Sequence, residues 1–238
     1  MVTIHGIRQP EDVIVADNGA VGQPLHVQGR DAVIAASQGV AWRDGAPPDY
    51  HYSRENMPAE RSVTHESGSL ADIVERLVQV FEMEVSHKRN PAEWLSMVAE
   101  QVTVSVNGGP KVGSAELAER GSYNVLIGEN PYYSAADESF ESSHDVFHQA
   151  FPGGFFWEVL EVYSPPPVVT FKWRHWGTFA GPYKGVEPTG ERIEMFGVTV
   201  VHVTDDLRIT ETQHFYDNTD FLGQLARGQL APNPRAHG

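Results

Sequence analysis

The sequence contains no cysteine. Disulfide bonds, thiolate nucleophiles and metal sites with cysteine ligands are therefore excluded. Basic residues are scarce, because 17 Lys and Arg stand against 32 Asp and Glu, which gives a formal net charge of −15. Nucleic acids and anionic membrane surfaces are bound through basic patches. We therefore expect neither as a partner, and the charge mainly favours solubility.

Long apolar runs are also missing. No stretch approaches the roughly 18–20 residues of a membrane-spanning helix. The N-terminus, MVTIHGIRQPEDVIV, lacks the basic start and the apolar core of a signal peptide. These absences predict a cytoplasmic protein. The 238 residues, 40% of them hydrophobic, suffice for one large domain or for a domain with an extension.

The first part of the chain differs from the rest. Residues 1–67 hold scattered glycine, proline and aspartate, and we interpret them as an extension that wraps the core, with disorder of the first 40 residues as the alternative. Within it, Trp42 and two tyrosines give this segment more apolar surface than a linker usually has. We therefore expect residues 42–67 to be ordered and Trp42 to be at least half buried, over the mouth of a pocket. Residues 68–230 would form the core domain and 231–238 a flexible tail.

Helices precede strands in the core domain. SLADIVERLVQVFEMEVSHK, with Ser69 as N-cap, has helical spacing of apolar residues. NPAEWLSMVAE predicts a second helix after the cap Asn90, and SSHDVFHQAF predicts another. Four strands follow, namely FFWEVLEVYS, PVVTFKWRHWG, RIEMFGVTVVHVTD and RITETQHFYD. This order predicts an α+β fold with an antiparallel sheet.

The second of these strands carries a histidine on an otherwise apolar face. By alternation, Phe171, Trp173 and His175 point to the same side of the sheet. His175 should therefore face the core side. It is either a core histidine bonded to a backbone carbonyl or an acid/base in a pocket, since imidazole titrates near neutral pH.

The fourth strand has a polar face. Counting every second residue from Ile209 places Glu211, Gln213, Phe215 and Asp217 on one side. Its polar groups do not suit a dry core, because unpaired buried polar groups are costly. They suit the wall of a cavity, where desolvation raises the pKa of a carboxyl group. The alternative is a strand edge that faces solvent.

One pair of histidines has a spacing that occurs in metal sites. His144 and His148 lie one helical turn apart, a spacing that can bind a metal, but no third ligand follows at a suitable spacing. We predict no metal site and place the pair in a pocket lining or on a polar helix face. Phosphate-binding loops, a serine nucleophile elbow and a dinucleotide-binding glycine pattern are missing from the sequence. We expect no cofactor.

Several segments resemble segments of known protein families. GTFAGPYKGVEPTGERIEMFG resembles the glycine- and proline-rich segment of the SnoaL-like polyketide cyclases, which belong to the nuclear-transport-factor-2-like superfamily. RITETQHFYDNTDFLGQL resembles that family's closing strand and leucine-rich end. Longer blocks, among them ESSHDVFHQAFPGGFFWEVLEVYSPPP and FKWRHWGTFAGPYKGVEPTGE, are similar to the plant pathogen-related proteins. The similarity runs from about Trp42 to Leu225.

The resemblance implies a cone-shaped fold, in which N-terminal helices close a curved antiparallel or mixed sheet around a small apolar ligand. It also implies a homodimer that packs through the outer sheet face, where Lys172, Arg174 and an exposed Trp176 would lie. In the cyclases an aspartate at the end of the closing strand acts as general acid/base, and its match here is Asp217.

The residues assigned to catalysis are therefore Asp217, His175 and Gln213. Those assigned to ligand binding are Trp173, Phe171, Phe215, Glu211, His148, His144, Phe179 and Tyr183. Gln213 stands where the family has tryptophan, and Phe179 stands where the cyclases have histidine, so the set of proton donors differs from theirs.

Three functions remain open. We predict a cofactor-independent cyclase, isomerase or dehydratase that acts on an apolar carbonyl compound. One alternative is a non-catalytic, stress-related protein that binds a small molecule. The other is a hydrolase that activates water, for instance on an epoxide, for which Glu211 would serve as a second carboxylate.

Overall fold

The structure, a computed structural model, describes residues 22–227. The helices in this part of the chain are α1 (Arg30–Ala36), α2 (His51–Glu60), α3 (Leu70–His87), α4 (Ser114–Arg120), α5 (Ser122–Ile127), α6 (Phe140–Ala150) and α7 (Asn218–Leu225). The strands are β1 (Thr103–Val106), β2 (Val112–Gly113), β3 (Phe155–Ser164), β4 (Val168–Thr178), β5 (Arg192–Val203) and β6 (Ile209–Tyr216). Residues 1–21 and 228–238, and with them the whole predicted tail 231–238, lie outside the described residues.

The six strands form one curved sheet in the order β2-β1-β6-β5-β4-β3. The four predicted strands, β3 to β6, pair antiparallel with one another, which confirms the α+β prediction. β1 joins β6 in parallel, so the sheet is mixed. Register shifts occur between β3 and β4 and between β5 and β6. Such bulges bend and twist a strand locally, which favours the curvature that a cone requires.

Helix α3 begins and packs as its sequence predicts. The Ser69 side chain accepts a hydrogen bond from the Asp72 backbone N–H and so caps the first turn. Leu77 and Phe81 lie in the main hydrophobic core with residues of the sheet, whereas Val80 packs in a cluster with α1. The helix is therefore enclosed between the sheet on one side and the N-terminal segment on another.

The helix predicted after Asn90 is reduced to a single 3-10 turn, Pro91–Glu93, and that prediction was wrong. The cause is the fully buried carboxylate of Glu84. It accepts hydrogen bonds from the backbone N–H groups of Leu95 and Ser96, at 2.7 and 2.9 Å, and pairs with Lys88 at 2.8 Å. Backbone donors that are bound to a side chain do not enter a helical hydrogen-bond ladder.

The N-terminal segment, residues 22–67, lies along the domain. Trp42 is more than half buried, as expected, and forms a β-bridge with Lys88. Met57 of α2 packs against Phe156 and Trp176 on the outer face of the sheet. Residues 42–67 are thus ordered against the core.

This covering overturns one expectation. Trp176 is fully buried rather than exposed, and its indole N–H donates to Glu60 Oε2 at 3.1 Å. Arg174 beside it donates to the Glu60 carbonyl at 2.8 Å. The outer face of β4, which we expected to meet a second copy, is occupied there by the chain's own helix α2. Lys172 on the same face remains exposed.

None of the helices within residues 22–227 is both long enough and apolar enough to cross a membrane.

Candidate functional site

A cavity of about 200 Å³ lies between the sheet and the helices. Strands β3 to β6 supply one wall, which we call the sheet wall. Helices α3, α5 and α6 supply the opposite side, the helical wall, and the N-terminal segment adds Arg30, Tyr50, Ser53 and Met57. Trp42 does not line the cavity, so the expectation that it covers the mouth was wrong.

Five predicted residues line this cavity. They are Phe171, Trp173 and His175 from β4, and His144 and His148 from α6. The alternation assigned to β4 was therefore correct. Among residues 22–227, no three His, Asp or Glu side chains are grouped closely enough to hold a metal ion.

The alternation assigned to β6 was wrong because of a β-bulge. Two adjacent residues of β5 pair with Ile209 and Glu211, so Thr210 is one extra residue on β6. An extra residue reverses which side chains face inward from that point on. The side chains of β6 that line the cavity after the bulge are Thr212, His214 and Tyr216.

The predicted residues of β6 consequently point away from the cavity. Glu211 pairs with Lys111 at 2.8 Å and accepts a hydrogen bond from Gln213 at 2.7 Å. Phe215 exposes 42% of its surface. This face of β6 is turned to the outside of the sheet, but β6 lies between β1 and β5, so the alternative of a strand edge is wrong as well.

Asp217 does not point into the cone, contrary to expectation. Its side chain is exposed and caps α7, where Oδ1 accepts a hydrogen bond from the Asp220 backbone N–H at 2.9 Å. It lies in a surface groove with Arg227, apart from the cavity. The chain turns from β6 into α7 at this residue, and the turn directs the carboxylate outward.

Phe179 and Tyr183 also lie elsewhere. Both are fully buried in the connection between β4 and β5, in a second hydrophobic cluster with Phe147 and Phe221. Neither lines the cavity. In this structure the glycine- and proline-rich segment anchors the end of the sheet to α6 and α7.

The sheet wall contains a hydrogen-bonded chain of three side chains. The Trp173 indole N–H donates to Thr199 Oγ1 at 2.8 Å, and Thr199 Oγ1 lies 2.9 Å from His214 Nδ1. An indole N–H only donates, and the buried hydroxyl has no other acceptor in residues 22–227, so its hydrogen points at Nδ1. Burial lowers the pKa of His214 to about 4. The neutral ring therefore carries its proton on Nε2, a buried atom with no partner in the described chain.

His144 on the helical wall has the opposite tautomer. Its Nδ1 lies 2.9 Å from the Phe140 carbonyl, which can only accept, so Nδ1 holds the proton. Burial lowers the pKa of His144 to about 4, although this hydrogen bond opposes the shift. The lone pair on Nε2 is buried and meets no partner in the described chain. One wall thus offers an N–H donor and the other a nitrogen acceptor.

His175 lines the cavity, as its face of β4 predicts. Its ring stacks on Phe155 with centroids 3.6 Å apart. Burial lowers its pKa to about 3, and the backbone of Phe156 opposes the shift. Its Nδ1 is buried and has no hydrogen-bond partner in residues 22–227.

Glu82 on α3 was missed by the sequence analysis. It lines the cavity, and within the described residues its carboxylate accepts no hydrogen bond. Glu82 is accessible to solvent where it lines the cavity. The surrounding protein raises the pKa of its carboxyl group by desolvation, and the charge of Arg30 opposes the rise. The sequence signal was the stripe of Val78, Glu82 and Ser86 at four-residue spacing, beside the main apolar face of α3.

Comparison with known proteins places the chain in a family. Residues 134–225 match the family model of the SnoaL-like polyketide cyclases. The chain is 39% identical over 197 residues to a pathogen-related protein of Hordeum vulgare, which is 80% of this chain and 84% of that protein. A candidate polyketide cyclase from Acidithiobacillus ferrooxidans shares 19% identity, with 68% of this chain and 99% of that chain covered and a TM-score of 0.42. Another from Streptomyces antibioticus shares 20% identity over 57% and 86% of the two chains, with a TM-score of 0.36. The chain therefore belongs to the pathogen-related proteins, and its residues 134–225 are similar to the SnoaL-like polyketide cyclases.

Proposed function

We propose that the protein is a cofactor-independent acid/base enzyme, of the cyclase, isomerase or dehydratase type, that acts on a small carbonyl compound. The observation that carries the proposal is Glu82. It is the sole carboxylate among the described residues that line the cavity, and its pKa is raised above the ordinary value. A carboxylate with a raised pKa is a stronger base than one with the ordinary pKa.

The remaining groups of the cavity complete this chemistry. The carbonyl oxygen of the substrate accepts a hydrogen bond from His214 Nε2–H on the sheet wall. Glu82 removes a proton from the carbon next to the carbonyl, and the electron pair of that C–H bond forms an enolate whose oxygen the donor stabilises. Glu82, now protonated, returns the proton at another position in an isomerisation. In a ring closure, the enolate carbon attacks a second carbonyl and the new alkoxide takes the proton.

The proposal gives Glu82 the role that the resemblance implies for Asp217. Asp217 caps a helix at the surface, whereas Glu82 opens onto the cavity. Glu82 lies outside residues 134–225, the part that matches the family model. The chemistry of this chain would then depend on a residue that the shared segment does not contain.

The test is proton exchange. The protein is incubated in D2O with acetophenone and with 4-hydroxyacetophenone, and the loss of the methyl proton signal is followed by NMR. Glu82→Gln should reduce the exchange rate by about 10²–10⁴, the usual contribution of a general base. Glu119→Gln, an exposed carboxylate on α4, is the matched control. Wild-type rates for Glu82→Gln, or loss of exchange in Asp217→Asn, would contradict the proposal.

The binding-protein alternative has one observation in its favour. The pKa values of His144, His175 and His214 are lowered to about 4, 3 and 4, which makes these imidazoles weak bases. Binding of the ketones without exchange by the wild type would favour it. The hydrolase alternative has less support, because it needs two carboxylates in the cavity and Glu211 lies outside it.

We also propose a homodimer, but through residues other than Lys172, Arg174 and Trp176. Phe196 and Phe215 expose 50% and 42% of their surface on the outer face of the neighbouring strands β5 and β6. Two aromatic side chains on one sheet face are typical of an interface core. Light scattering that gives the mass of a single chain at micromolar concentration would reject the dimer. The cytoplasmic location also remains a prediction.

A further inference from the structure

Buried polar atoms without a partner gather at the cavity. Among the described residues ten buried side-chain nitrogen and oxygen atoms have no hydrogen-bond partner. Five of them belong to residues that line the cavity, namely Tyr50 Oη, His144 Nε2, His175 Nδ1, Thr212 Oγ1 and His214 Nε2. An unpaired buried polar atom costs folding free energy. Such a concentration at one cavity is typical of a site whose polar groups are satisfied by a bound molecule.

The size of the cavity limits that molecule. An apolar cavity of about 150 Å³ holds benzene, so the present cavity of about 200 Å³ holds one ring with a few substituents. Phe155, Phe171 and Trp173 are part of its walls, and aromatic side chains stack or meet edge-to-face with a flat ring. A skeleton of three or four fused rings exceeds this volume.

The tautomers set the polar groups of the molecule. His214 presents an N–H, which requires an acceptor such as a carbonyl oxygen. His144 presents a lone pair, which requires a donor such as a hydroxyl group. Tyr50 and Thr212 carry hydroxyls that can play either part. One carbonyl and at least one hydroxyl therefore satisfy both walls.

The charges favour a neutral molecule. Arg30 and Glu82 are the charged side chains that line the cavity in the described chain, and they attract each other. A ligand carboxylate would meet Glu82 while the guanidinium of Arg30 lies over the Tyr50 ring at 3.8 Å. A neutral ligand adds no charge beside Glu82 and leaves the attraction between Arg30 and Glu82 unchanged.

We propose that the ligand is a neutral, single-ring aromatic carbonyl compound with at least one hydroxyl group. Its carbonyl oxygen binds His214 Nε2–H, and its hydroxyl donates to His144 Nε2. This names the substrate class of the site and rests on the function proposed above for the identity of the reacting group.

Calorimetry with matched probes tests the ligand class. The probes are 4-hydroxyacetophenone, acetophenone without the hydroxyl, phenol without the carbonyl, 4-hydroxybenzoate with a charge, and three-ring 1-hydroxyanthraquinone. We expect 4-hydroxyacetophenone to bind at least about 5-fold more tightly than each of the others, the scale of one hydrogen bond. Equal or tighter binding of acetophenone, 4-hydroxybenzoate or the anthraquinone would overturn the proposal.

A variant assigns the hydroxyl contact to His144. His144→Phe should weaken the binding of 4-hydroxyacetophenone about 5- to 10-fold and leave acetophenone unchanged, because only the first probe loses a partner. His51→Phe, on α2 and outside the cavity lining, is the control and should change neither. An equal loss for both probes would mean that the ring, not the hydroxyl, meets His144.

A second measurement uses the unaltered protein, in case His144→Phe does not fold. The 15N resonance of His144 Nε2 should shift when 4-hydroxyacetophenone binds and stay in place with acetophenone. No difference between the probes overturns the assignment. These experiments measure binding without turnover, so a protein that binds the hydroxy ketone but does not exchange its protons refutes the proposed function alone.

Discussion

Glu158 on β3 connects the N-terminal segment to the sheet. Its fully buried carboxylate accepts hydrogen bonds from the Ser62 hydroxyl at 2.7 Å and the Ser62 backbone N–H at 3.0 Å. Arg174 Nε lies 2.9 Å away. We expect Glu158→Gln to loosen the attachment of the segment around Ser62 to the sheet, because the amide has the shape of the carboxylate but lacks the negative charge that pairs with Arg174.

The size of the loss follows from the partners that remain. Breaking a buried ion pair at one partner costs about 3–5 kcal/mol. Arg174 keeps the Glu60 carbonyl at 2.8 Å and Glu194 Oε1 at 3.4 Å, so its charge stays partly paired. We therefore expect a loss near the lower end, about 3 kcal/mol of the free energy of unfolding. The typical total is only about 5–15 kcal/mol for a domain.

Urea unfolding measures that loss, and hydrogen exchange locates it. Exchange should accelerate in residues 50–63, whose helix α2 brings Met57 to the cavity, before it accelerates in β5. Glu161→Gln, an exposed carboxylate on the same strand, should change stability by less than about 0.5 kcal/mol. A loss below about 1 kcal/mol for Glu158→Gln, or unchanged exchange at 50–63, would refute the role given to this carboxylate.

Two further outcomes follow from the cavity walls. Gly197→Ala would place a methyl group 2.2 Å from Trp173 Cζ2. We expect the free energy of unfolding, measured in urea, to fall by about 1–3 kcal/mol and the ligand to bind more weakly. Unchanged stability would mean that the indole has room to shift. His144 and His214 have pKa values lowered from the ordinary 6.5 to about 4, so the unfolded chain binds more protons between these values. Stability should be fully present above pH 6.5 and decline as the pH falls toward 4, and melting curves of His144→Phe should show a flatter decline in that range; an identical pH dependence would contradict the buried neutral state.

How far the sequence predicted the structure differs from strand to strand. The face of β4 was predicted correctly because alternation continues without interruption through His175. The face of β6 was not, because one extra residue, Thr210, reverses the pattern, and nothing in RITETQHFYD marks the bulge. The resemblance placed Asp217 in the cavity through the same uninterrupted count.

The sequence analysis missed Glu82 for a different reason. Glu82 follows the buried Phe81 on α3, and a carboxylate beside an apolar face usually lies in solvent. Here the N-terminal segment brings Arg30 and Tyr50 to that side of the helix and makes it the wall of a cavity. Long-range packing of this kind leaves no periodic signal in the sequence, and the covering of Trp176 by α2 was missed for the same reason.

A crystal structure of the wild-type protein with 4-hydroxyacetophenone tests the central claim most directly. The account predicts one molecule in the cavity, with the carbonyl oxygen about 2.7–3.2 Å from His214 Nε2 and its methyl carbon beside the Glu82 carboxylate. A molecule bound in the surface groove at Asp217, with the cavity unchanged, would contradict it.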